Sequence, residues 1–168
     1  MPLRRFFCAL MLLVTAGIWG CAGNNPVFTP ATPGNPGNAI LYLYRPEAST
    51  PGVAKPLRFS YPEVFVDGRS VGVIPYDRYL ALELAPGQHE LRLTGLTAQA
   101  KDWEIRDIRR QVAVQRGQSH FLRFGVEYRL HDMNMLQPKS QYTILLTPVS
   151  SENAEYEIRH IRQQPTTR

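Results

Sequence analysis

Short runs of alternating apolar and polar residues recur along most of this chain, at the period of two that marks half-buried β-strands. Ile40-Leu41-Tyr42-Leu43-Tyr44 departs from that alternation. It is apolar at every position up to Arg45-Pro46, so it reads as a central strand covered on both faces. Val64-Phe65-Val66 and Ser70-Val71-Gly72-Val73-Ile74 flank Asp67-Gly68, a pair that favours a two-residue hairpin, and are expected to pair antiparallel. Leu80, Leu82 and Leu84 alternate with Tyr79, Ala81 and Glu83, and after Pro86-Gly87 come His89, Leu91 and Leu93, which reads as a second hairpin. Ile108, Val112 and Val114 precede Arg116-Gly117-Gln118, which reads as the turn of a third. Its second strand should turn Leu122, Phe124, Val126 and Tyr128 to the core and Phe121, Arg123, Glu127 and Arg129 outward. A last strand over residues 142–146 is expected to stop at Pro148.

One stretch near the end follows a helical period instead. Ser150 or Ser151 can cap a helix over residues 152–162, with Ala154, Ile158 and Ile161 on one face. Seven to eight short strands with turn signals between them predict an all-β fold, a small antiparallel β-sandwich of immunoglobulin or transthyretin type with one short C-terminal helix.

The N-terminal region follows neither period. Arg4 and Arg5 precede a run from Phe6 to Ile18 that carries no charge, which is the anatomy of an export signal and is shorter than the roughly 20 residues needed to span a bilayer. The run ends at Ile18-Trp19-Gly20-Cys21-Ala22-Gly23, which resembles the lipobox of bacterial lipoproteins. That resemblance implies cleavage before Cys21 and attachment of acyl chains to its sulfur. The alternative is a conventional secretory signal cut after Gly20 or Gly23. Cysteine arithmetic disfavours it, because Cys8 lies inside the signal and Cys21 would be left as an unpaired thiol in an oxidising compartment.

Residues 22–38 carry four Pro, three Gly and four Asn and read as an extended tether with a reach of about 50 Å. The expected organisation is therefore a signal over residues 1–20, a lipidated Cys21 with its tether over 21–38, and one β-sandwich over 39–168. By the pattern known for lipoproteins, Ala22 in place of an Asp after Cys21 implies the outer membrane, with the domain facing the periplasm.

Composition narrows the function without naming it. From Cys21 onward the chain carries 17 basic and 14 acidic side chains, a mild excess that argues against a nucleic-acid partner. His89, His120, His131 and His160 have no metal-ligand spacing, and no nucleophile elbow or phosphate-cradling loop is present, so no metal, cofactor or catalytic residue is expected. Most aromatic residues fall at core positions. Tyr61, Tyr76 and Trp103 fall in loops instead and form a candidate stacking platform for a glycan or peptide.

The blocks Leu41-Tyr42-Leu43-Tyr44-Arg45-Pro46, Val64-Phe65-Val66-Asp67-Gly68-Arg69-Ser70-Val71-Gly72, Leu84-Ala85-Pro86-Gly87-Gln88-His89 and Arg116-Gly117-Gln118 together resemble a bacterial lipoprotein family catalogued as domain of unknown function 2846. The hairpin block is also similar to PEGA-type modules. The resemblance runs from about Asn38 to the last strand and implies a compact β-sandwich and no activity. The resulting expectation is a non-enzymatic binding or assembly module of the cell envelope, partnered by the membrane through Cys21 and by an envelope protein or peptidoglycan. Glycan or peptide binding through the loop aromatics is the alternative, and a hydrolase comes third.

Overall fold

The computed structural model describes residues 27–46, 59–95, 97–100, 103, 105–131 and 139–167, with backbone alone at 127–131 and 139–142. Among the described residues, nine strands and one helix follow in the order β1 Ala39–Arg45, β2 Glu63–Val66, β3 Arg69–Val73, β4 Arg78–Leu84, β5 Gly87–Thr94, β6 Ile108–Val114, β7 Ser119–His131, β8 Lys139–Val149, α1 Ser151–Ile158 and β9 Arg162–Gln163. They form a five-stranded sheet in the order β8-β7-β1-β4-β9 and a four-stranded sheet in the order β3-β2-β5-β6. This is the small all-β sandwich with a C-terminal helix that the alternation predicts.

The doubly apolar β1 is central and buried at all seven positions. Leu41 and Leu43 join Val64, Leu91, Leu93, Val112, Leu122 and Phe124 between the sheets. On the other face Ile40, Tyr42 and Tyr44 meet Tyr79, Phe121, Ala154, Ile158 and Ile161, so α1 and the chain leading to β9 cover the outside of the five-stranded sheet. Phe121, expected to point outward, does leave the inter-sheet core. It is nevertheless 3% exposed, because this second apolar layer covers it.

Two of the three expected hairpins are corrected. Asp67 (φ 49°) and Gly68 (φ 79°) do make the tight β2–β3 turn. The strands on either side of Pro86-Gly87, however, belong to different sheets, with β4 paired to β1 and β5 to β2 and β6. The same holds across Arg116-Gly117-Gln118, where β6 lies in one sheet and β7 in the other. Both turns are corners of the sandwich. The chain crosses from one sheet to the other at each of them; β7 then lies parallel to β1 and β9 parallel to β4, so the larger sheet is mixed.

The last strand runs on through Pro148, which faces Leu122. An edge strand tolerates a missing N–H on its open side. The helix stops at Ile158, short of the expected residue 162, and the chain then turns into β9.

The described part of the expected tether is docked. The Phe28 ring sits edge-on to Tyr42, Tyr79 and Phe121 with centroids 5.3, 5.4 and 6.5 Å away. The Phe28 amide donates to the Arg159 carbonyl at 3.0 Å, and the Ala31 amide to the Tyr42 hydroxyl at 2.6 Å. Glu83 then accepts from the amides of Gly34 (2.9 Å) and Asn35 (3.0 Å) and from Asn38 Nδ2 (2.8 Å). Those three bonds, the Asn35 amide first, hold the Glu83 carboxyl below its ordinary range. Residues 27–38 thus form a strap along the domain.

Candidate functional site

The two flanks of the sandwich differ. On one, the chain beyond β9 closes the gap between the sheets: the Gln164 amide donates to the Tyr79 carbonyl at 2.7 Å and the Thr167 amide to the Val71 carbonyl on β3 at 3.1 Å. On the other, β6 is the last strand of its sheet and β8 the last of the other. There β8 pairs with β7 only from Phe121 onward, opposite Val149, after which the chain turns away into α1.

That departure leaves a cavity of about 360 Å³ between β6 and the start of β7. Its apolar lining comes from Val112, Leu122, Pro148 and Val149, and its polar lining from Arg110, Gln111, Ser119, His120, Ser150 and Ser151. Such a volume lies at the lower end of the range for ligand sites.

The polar groups are placed by their elements. Val112 and Val114 point inward, so alternation also turns Arg110 to the inner face of β6. There no described strand closes the sandwich, and the guanidinium reaches across to donate to the Leu146 carbonyl of β8. An inward-pointing charge on an edge strand disfavours uncontrolled strand pairing. His120 Nε2 accepts from the Gln115 amide at 2.9 Å, which leaves Nδ1 as the protonated nitrogen. Ser150 is the N-cap residue of α1, yet its side chain makes no capping hydrogen bond.

The residues singled out from sequence lie elsewhere. Cys21 is outside the described residues. Trp103 is 4% exposed and packs against Phe124 with ring centroids 5.8 Å apart, so it offers no stacking face to a ligand. Tyr76 lies under the Arg45 guanidinium, 3.7 Å from its ring centroid, and Arg45 also lies 5.0 Å from the centroid of Phe124. Tyr61 is half-buried at the same end, between Ser60, whose carbonyl accepts from Arg45 at 2.8 Å, and Pro62, whose carbonyl accepts from the Ile74 amide at 3.2 Å. The structure therefore joins Tyr76 and Trp103 through Arg45 and Phe124 as a packed stack.

Arg45 itself is 1% exposed, and burial lowers its pKa against the opposing influence of Tyr76. It continues the odd positions of β1, the face of Leu41 and Leu43, which brings a guanidinium into the core. Glu63 is also buried and accepts from the Ser70 hydroxyl.

The His–acid pair that the fold assembles is Asp67 with His89. His89 Nδ1 lies 2.6 Å from Asp67 Oδ2, and Nε2 lies 2.7 Å from the Ala85 carbonyl. Both ring nitrogens are thus already engaged by groups of the protein itself. Among the described residues no cluster of three or more His, Cys, Asp or Glu could hold a metal ion.

Residues 35–135 match a family model described as a protein of unknown function, DUF2846. The chain belongs to this family. The DUF2846 match contains β1 to β7 and ends before β8, so the Pro148–Ser151 wall of the cavity lies outside it. No curated protein and no solved structure matches the chain.

Proposed function

We propose that this DUF2846 protein is a lipid-anchored, non-enzymatic binding module of the cell envelope, and that the open β6/β8 flank is its binding surface. The observation that carries this reading is the asymmetry of the sandwich, sealed by the C-terminal tail on one flank and cleft beside an edge strand on the other. An edge strand offers unpaired backbone groups to an extended polypeptide, and the neighbouring cavity can take alternate side chains of the added strand. The rim is rich in donors, with Arg110, Ser119, Ser150 and Ser151, which suits a segment bearing carbonyl and carboxylate groups. The partner is accordingly an extended segment of another envelope polypeptide. The signal and lipobox residues around Cys21 support export and anchoring, and Ala22 supports the outer membrane. The engagement of both His89 nitrogens supports a non-enzymatic role.

Photo-cross-linking in intact cells tests the surface. A cross-linker at Gln111 is expected to give an adduct with a second polypeptide, and Ser150→Trp, which fills the cleft without removing a capping bond, is expected to abolish it while leaving the unfolding temperature unchanged. Adducts that persist undiminished in Ser150→Trp would show that the cleft is not the binding surface.

A further inference from the structure

We infer that the face of the domain carrying Val27, Tyr156 and Arg159 rests on the bilayer in which Cys21 is anchored, an inference that depends on the lipid-anchor reading above. The first observation is the strap. With Phe28 seated in the aromatic cluster and its amide bonded to the Arg159 carbonyl, the chain between Cys21 and the docked domain is only residues 22–26. Even fully extended, the six steps from Cys21 to Val27 span about 20 Å. The domain is thus held close to the surface.

The second observation is what surrounds the point where this leash leaves the domain. Val27 is 69% exposed and adjoins Phe28, Phe28 is bonded to Arg159, and the Arg159 guanidinium lies 4.1 Å from the ring centroid of Tyr156, itself 66% exposed. Three large apolar or aromatic residues are strongly exposed among the described residues, and Val27 and Tyr156 are two of them. A tyrosine and an aliphatic side chain suit the boundary between headgroups and acyl chains, and an arginine suits anionic headgroups.

Full-length lipidated protein in phosphatidylethanolamine–phosphatidylglycerol vesicles with nitroxide-labelled headgroups tests the orientation. A fluorophore on Asn153→Cys, exposed on α1, is expected to lose most of its emission, and one on Ala113→Cys, exposed on the outer face of the opposite sheet, to lose none. Equal quenching at the two positions would overturn the inference. Flotation of the same samples separates this from the anchor itself, since protein recovered free of vesicles would overturn the anchor reading and this orientation with it. Phe28→Ala lengthens the leash, so the Asn153 label should regain emission while the protein still floats with vesicles. Undiminished quenching in that variant would overturn the role given to the strap.

Discussion

Asp67 and His89 are 22 positions apart in the chain, yet the Asp67 carboxylate lies 2.6 Å from His89 Nδ1 and accepts from the Glu90 amide at 2.9 Å. Asp67 ends β2, and β2 pairs with β5, which brings the turn carboxylate over the imidazole. Burial alone would lower the His89 pKa, but its bonds to Asp67 and the Ala85 carbonyl together raise it above 6.5. The hydrogen bond from His89 in turn lowers Asp67 below 3.8.

The raised histidine contributes stability that is complete below pH 6.5 and is lost as pH rises through its folded pKa. The lowered aspartate contributes stability that is complete above pH 3.8 and is lost as pH falls through its own folded pKa. The pair therefore stabilises most between those limits. Because Asp67 is half exposed, the gain should stay below about 1 kcal/mol. Unfolding temperatures at pH 5 and pH 8 should differ less in His89→Gln than in the unsubstituted protein. An unchanged difference would assign the pH dependence to other groups.

Phe124 is 1% exposed and contacts Trp103 and Arg45, so Phe124→Ala should cost about 3–5 kcal/mol. Its neighbour Arg123 makes a partly exposed ion pair with Glu157 at 3.1 Å, and Arg123→Ala should cost no more than about 1 kcal/mol. Denaturant unfolding of both variants checks the register of β7, and shifts of equal size would contradict it.

Gly68 has open space where a Cβ would stand but adopts φ +79°. Gly68→Val should therefore destabilise through backbone strain alone, by about 1–2 kcal/mol, and Gly68→Asn by less. Thermal unfolding of the two variants gives the order. Equal losses would mean that crowding matters more than backbone conformation at this turn.

A domain beginning at Ala39 lacks the strap and uncovers Tyr42, Tyr79 and Phe121. It should unfold at lower temperature than one beginning at Val27 and should bind a hydrophobic dye in its native state. Phe28→Ala in the longer form should reproduce part of that loss, about 2 kcal/mol. Indistinguishable unfolding of the two lengths would show that the strap adds no stability.

Cys21→Ala removes the sulfur on which the proposed acylation depends. Membrane fractions of cells carrying it should lose the protein, because stable attachment takes more than one acyl chain and the variant has none. Retention at the wild-type level in those fractions would rule out the anchor, and wild-type protein mainly in the inner-membrane fraction would rule out the outer membrane.

The alternation of Leu122 and Phe124 with Arg123, the unbroken apolar run of β1 and the Asp67-Gly68 turn were legible in the sequence, because each depends on neighbours within a few residues. Alternation reports which face of a strand is covered and is silent about which strand lies beside it. Only the tertiary structure could therefore show that Pro86-Gly87 and Gln115 to Gln118 turn corners between sheets and do not close hairpins. The same limit hid the strap. Phe28 among prolines has nothing local to pack against, and its site is built from Tyr42, Tyr79 and Phe121 on three different strands. The cleft on the β6/β8 flank was likewise invisible, because it is made by where β8 leaves β7 and by the tail that seals the opposite flank. Both are long-range events that no window of sequence contains.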